Sequence, residues 1–173
     1  MKLTWFGGCT LRVHIGGKVL VANADAPLAG VEKLELESGA DLSFAFPDER
    51  AEVVDLAAWR PRRRGSMLDE ADDAGVLVHH SNEAVLIDAL GEPPLILVED
   101  AAPKLGRWSK DAVVVLFGRK LFENGRIILG DSAPRLLLLA GEAGAVSAAF
   151  DALREVVEGT GLVAMEEGMA VEV

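Results

Sequence analysis

Glu49 and Glu52 lie three apart in the acidic stretch after Pro47, and on a helical turn that spacing puts both carboxylates on one face. Such a pair holds magnesium or calcium weakly, and zinc poorly unless an imidazole joins it. The chain has three histidines, His14, His79 and His80. Adjacent residues of a regular strand point to opposite faces, so at most one of His79 and His80 faces any given ion, with Asp88 as a nearby carboxylate. Glu49, Glu52 and one of His79 or His80 are therefore the one metal-ligating set on offer. The plainer role for the two glutamates is to favour the positive end of a helix. Cys9 follows Gly7 and Gly8, where a tight turn can present a nucleophile, but a nucleophile needs a base and the nearest histidine in sequence is His14. A small buried thiol is the commoner role. Arg60, Arg62, Arg63 and Arg64 form a dense basic patch suited to carboxylates or phosphates, and Asp69, Glu70, Asp72 and Asp73 follow closely enough to neutralise it. Trp59 beside that patch, and Trp108, are candidates for an oligomer interface. Gly-Arg-Lys at 118–120 and Gly-Asp-Ser at 130–132 lack the glycine spacing of a phosphate-binding loop.

The elements that must position these groups are mostly short strands. Residues 2–6 read as a buried strand stopped by Gly7 and Gly8. Over 11–15, Leu11, Val13 and Ile15 alternate with Arg12 and His14, and Gly16-Gly17 joins this run to residues 18–22 as a hairpin. Residues 28–37 suit a short helix, 41–46 a strand, and 57–59 one or two helical turns before Pro61. A second hairpin spans 76–80 and 84–88 around Ser81-Asn82. Further strands are expected at 95–98, 112–117 and 136–139, and Asn124-Gly125 predicts another hairpin between Leu121 and Leu129. One long helix is predicted over 142–158, where Val146, Phe150, Leu153 and Val157 share a face and Gly159 supplies the stop. Residues 162–165 and 169–173 read as terminal strands. Tight turns join strands as often as helices do, which predicts a strand-rich α/β chain with a sheet-on-sheet core flanked by helices.

Composition narrows the function classes. The 173 residues are 50% hydrophobic and 26% charged, as expected of a single folded domain over 1–173. One cysteine excludes an internal disulfide or a multi-cysteine metal site and fits a reducing cytoplasm. No run approaches the roughly eighteen apolar residues of a membrane span, and the N-terminal stretch carries too little charge for an export signal, so a cytoplasmic protein with no membrane partner is expected. With 17 basic against 28 acidic side chains and a net charge of −11, nucleic acid is not an expected partner.

Residues 1–26, MKLTWFGGCTLRVHIGGKVLVANADA, resemble the opening of the metallo-β-lactamase superfamily, in particular its lactonase-like branch of metal-dependent hydrolases. The stretch 39–59, with its lead-in Ala40-Asp41-Leu42-Ser43-Phe44-Ala45, is similar to the strand that carries that family's H-x-H-x-D-H motif. Set against the motif, Pro47, Glu49, Ala51 and Glu52 stand where the ligands would be. Gly8 takes the place of the histidine after the first strand, and Asn23-Ala24-Asp25 replaces Ile-Asp-Pro. The resemblance implies a shortened metallo-β-lactamase-like sandwich of two mixed β-sheets flanked by helices. The lost ligands imply a non-catalytic protein with no metal and no cofactor, acting as a binding or self-assembling (homo-oligomeric) module. Its ligand would be an unidentified small molecule in the vacated pocket near Gly8, Asp25 and Pro47. The alternative expectation is a divergent metal-dependent hydrolase of a phosphoester or lactone, with a site rebuilt from Glu49, Glu52 and His79 or His80.

Overall fold

The computed structural model of the chain describes residues 1–25, 27, 30–46, 52–62 and 75–173. Leu3 and Trp5 point inward from β1 (Lys2–Trp5), which pairs antiparallel with β2 (Leu11–Ile15). Gly16 and Gly17, at φ of 56° and 74°, turn β2 into β3 (Lys18–Ala22), the left-handed pair that a two-residue hairpin requires. After α1 (Lys33–Glu37) the chain returns as β4 (Leu42–Phe44), parallel to β3.

The second sheet begins with an antiparallel meander of β5 (Val76–His80), β6 (Ala84–Ala89) and β7 (Leu95–Val98). From β7 it continues in parallel through β8 (Val113–Phe117), β9 (Leu136–Ala140) and β10 (Gly161–Ala164). A 3-10 turn at Arg107–Asp111, α2 (Leu121–Asp131) and α3 (Ala143–Arg154) supply the crossovers. The chain then crosses back, and β11 (Ala170–Glu172) joins the first sheet beside β1.

The apolar runs of β7 and β8 are buried on both faces, as parallel strands covered on two sides must be. Val113, Val115 and Phe117 meet Leu3, Val13 and Leu20 of the first sheet, while Val114 and Leu116 meet Val146 and Leu153 of α3 and Leu121 and Ile128 of α2. On the far side, Leu36 of α1 packs on Val21 and Ala24. The fold is thus an α+β stack of two mixed sheets with helices on both outer faces. Among the described residues no helix is long and apolar enough to cross a membrane.

Four local expectations are corrected. Residues 121–129 are not a hairpin but the body of α2. Leu121, Asn124, Gly125 and Ile128 form its buried stripe, and a side chain at Gly125 would meet Leu153 Cδ1 at 2.7 Å, so this glycine serves helix packing and not a turn. The helix expected over 142–158 ends at Arg154, four residues before the positive-φ Gly159. The helix expected over 28–37 occupies only its end, from Lys33, and Leu28 lies outside the described residues. Residues 57–59 make one turn organised by Asp55, whose carboxylate accepts from Ala57 N–H at 2.9 Å and whose carbonyl accepts from Trp59 N–H at 3.0 Å.

Trp108 is a core residue and not an interface candidate. It is 6% exposed, its indole donates to the Leu56 carbonyl at 2.9 Å, and its ring meets Trp59 edge-on at 4.6 Å. Of the basic patch, Arg62 reaches the buried Asp88 at 2.6 Å and donates to the carbonyls of Gly75 and Asp88, fastening residues 62 and 75 to β6. Arg63, Arg64 and the run Asp69 to Asp73 lie outside the described residues.

Candidate functional site

The carboxyl ends of β1, β3, β4 and β7 open on one crevice of about 680 Å³, whose walls include Gly8, Cys9, Asn23, Asp25, Phe46 and Glu99. Strand ends in mixed α/β sheets are the usual place for a ligand, because the loops there are free to vary while the sheet stays rigid.

Each wall has a local cause. After β1 the chain reverses through Gly7 and Gly8, at φ of 89° and 51°, and Thr10 N–H closes the turn on the Gly7 carbonyl at 2.9 Å. The Trp5 indole donates to the Gly8 carbonyl at 3.0 Å, which ties the turn to the core. After β3, Asn23 takes a left-handed conformation at φ 52°, which asparagine tolerates better than most residues. Its side-chain amide then pairs with both backbone groups of Phe46, and Thr10 Oγ1 donates to its carbonyl at 2.8 Å. The third wall is Glu99, just past β7. Asn124, 3% exposed on α2, donates to the Glu99 carbonyl at 3.3 Å and accepts from Ala102 N–H at 3.1 Å, fixing that loop.

The ionisable groups of the crevice are mostly acidic. Cys9 is half-buried, and burial pushes its thiol pKa far above the ordinary 9.0; a hydrogen bond to the Glu99 carboxylate and the charges of Glu99 and Asp100 push it the same way. The thiol therefore stays protonated and is no nucleophile at neutral pH. Lys33 meets Asp25 at 2.6 Å across the outer rim, and this hydrogen bond holds its ammonium above the usual lysine range.

The histidines go to three separate places. His14 is exposed beside Met1 and Lys2, at the other end of β1 from Cys9, so it is not a base for that thiol. His79 and His80 leave opposite faces of β5. His80 turns toward the inter-sheet side and meets Phe44 edge-on at 6.1 Å, while His79 meets Trp59 at 6.2 Å on the helix-covered face. His79 Nε2 is buried without a hydrogen-bond partner, and burial lowers its pKa; Asp88 opposes that shift, and Arg62 and His80 add to it. Glu52 is exposed, and the bridge of Val53 to His80, with Val54 N–H on the His80 carbonyl at 2.7 Å, brings its segment alongside β5. Glu49 and Pro47 lie outside the described residues. Among the described residues, no three of His, Cys, Asp and Glu converge on a point where a metal ion could be held.

Gly8 and Asp25, expected at a vacated pocket, do line the crevice, whereas Glu99, Asn124 and Lys33 were missed. The signal for Glu99 was present: an acidic pair, Glu99-Asp100, directly follows a strand of four apolar residues, and carboxyl ends of buried strands are where sites are built. Comparison of the chain with models of protein families, with curated proteins and with solved structures gave no match.

Proposed function

We propose that this chain is a catalytically silent relative of the metallo-β-lactamase superfamily, a metal-free binding module whose crevice beside Cys9 takes a small molecule. The four-layer order, helix, mixed sheet, mixed sheet, helices, supports the sandwich that the resemblance of residues 1–26 and 39–59 implies. The observation that carries the functional reading is the dispersal of the three imidazoles. A hydrolytic zinc site needs three or more convergent ligands and an open position for a water of lowered pKa. The crevice supplies a protonated thiol, carboxylates and a lysine already paired with Asp25, a donor set that does not fit zinc. With Phe44 and Phe46 in its walls, the same crevice suits an uncharged or weakly polar organic ligand held by a few hydrogen bonds. Self-assembly is the other half of the proposal, since β4, β5, β10 and β11 are all edge strands.

A second reading, the divergent hydrolase of a phosphoester or lactone, rests on the Val53–His80 bridge that draws the segment of Glu52 toward β5. Metal analysis of dialysed, untagged protein separates the two. The binding-module reading expects well under one equivalent of zinc, manganese or iron. A stoichiometric metal that is lost in both Glu49→Ala and Glu52→Ala overturns it in favour of the hydrolase.

A further inference from the structure

At the same end of the stack, on the far side of Trp5 from Gly8, a second cavity of about 610 Å³ lies between the first turns of α3 and the turn after β10. Its floor is apolar: Trp5, Val146 and Met165, each under a tenth exposed, with Phe150 beside them. Its rim carries the carboxylates of Glu142, Asp151, Glu166 and Glu167. No lysine or arginine is among the described residues that line it, and among the described residues none of the four acids is in an ion pair.

Size and lining fix the class of occupant. The volume is in the range of small-molecule sites, and a floor of two aromatic rings, a valine and a thioether favours an apolar body. The sign of the charge follows from competing terms. The amino end of α3 contributes about half a positive charge, which would suit an anion, but Glu142 stands at that very end and three further carboxylates surround it. With a net charge of −11 on the whole chain, the field at the mouth is negative. The Trp5 indole N–H is already used on the Gly8 carbonyl, so toward the cavity the ring offers its π system, which attracts cations.

We propose that this cavity binds a small organic cation: an aromatic or short aliphatic body bearing a protonated amine or a quaternary ammonium, the body against Trp5 and Met165 and the charge at the Glu142–Glu166 rim. The site is independent of the Cys9 crevice, and the two assignments fail separately.

The test titrates the full chain with phenethylammonium, 2-phenylethanol and phenylacetate, three probes of similar shape and different charge, followed by NMR. Phenethylammonium is expected to shift the Ala143, Val146 and Ala164 amides and the Trp5 indole, with 2-phenylethanol about tenfold weaker and phenylacetate weaker still. Added salt narrows the gap between the first two probes. The double variant Glu166→Gln, Glu167→Gln, both exposed positions, brings phenethylammonium close to 2-phenylethanol without weakening the latter. Ser147→Trp, at an exposed position on the cavity wall, blocks both while leaving the melting temperature unchanged. Phenylacetate binding as tightly as phenethylammonium, shifts centred on Gly8 and Phe46, cation affinity untouched by the double variant, or no binding by any probe would each overturn the assignment.

Discussion

Asn23 pairs with Phe46 as one strand pairs with the next, but through its side chain: Oδ1 accepts from Phe46 N–H at 2.6 Å and Nδ2 donates to the Phe46 carbonyl at 2.7 Å. The first sheet is thereby prolonged past β4, and one wall of the crevice is set. Asn23→Ala removes both bonds and leaves a β-carbon at positive φ without local compensation, so a loss of about 3 kcal/mol in urea denaturation is expected. Asn23→Gly relieves the backbone and loses only the bonds, so it falls between wild type and alanine. Equal stability of alanine and wild type would show that the amide pairing carries no weight.

Gly125 and Leu153 form the closest approach between α2 and α3. On helix propensity alone Gly125→Ala would stabilise by about 1 kcal/mol, but the new methyl meets Leu153 Cδ1 at 2.7 Å and Cδ2 at 3.1 Å inside a packed layer. Overpacking wins, and a net loss of about 1–2 kcal/mol is expected. Adding Leu153→Val to Gly125→Ala costs less than the two single losses combined, a coupling that a double-mutant cycle measures.

Cys9 ties stability to alkaline pH. A thiol whose pKa is raised on folding keeps its proton where the unfolded chain has released it, so its contribution is full below the ordinary 9.0 and is lost progressively as pH rises above that value. Wild type is expected to lose stability above about pH 9 more steeply than Cys9→Ala. In Glu99→Gln the thiol reacts faster with an alkylating reagent at any fixed pH, because two of the causes that hold its proton are gone.

His79 acts at the acid side with the opposite sign. Burial lowers its pKa, so the folded chain keeps it neutral where the unfolded chain is protonated; that contribution is present above the ordinary 6.5 and lost as pH falls through the folded value. Stability is expected to decline as pH drops below 6.5, and His79→Leu flattens that part of the curve. Trp59, 6.2 Å from the imidazole, reports the same event as a fluorescence change that His79→Leu abolishes.

What the sequence made legible was local. The Leu11–Ile15 alternation with its glycine pair led to the correct hairpin, because period two and positive φ are properties of a few neighbouring residues. The opposite faces of His79 and His80 followed from the same period. Asn124-Gly125 misled for the complementary reason: its local meaning is a turn, and what overrides it is a contact with Leu153 and an amide buried against the loop at Glu99. The crevice was half visible, since Gly8 and Asp25 follow strands that could be recognised. Its defining pair, Cys9 and Glu99, comes from opposite sheets, and nothing short of the assembled stack brings them together.

The pairing of β1 with β11, Lys2 opposite Glu172 and Thr4 opposite Ala170, has a kinetic side. A nascent chain extrudes β1 early, yet one flank of that strand stays unfilled until almost all the rest has been synthesised. Meanwhile β5, β6 and β7 zip with immediate neighbours, and the short loops between them close quickly. The second sheet can therefore serve as the template on which the first is completed, and the crossing from β10 to β11 is the stitch that ends maturation.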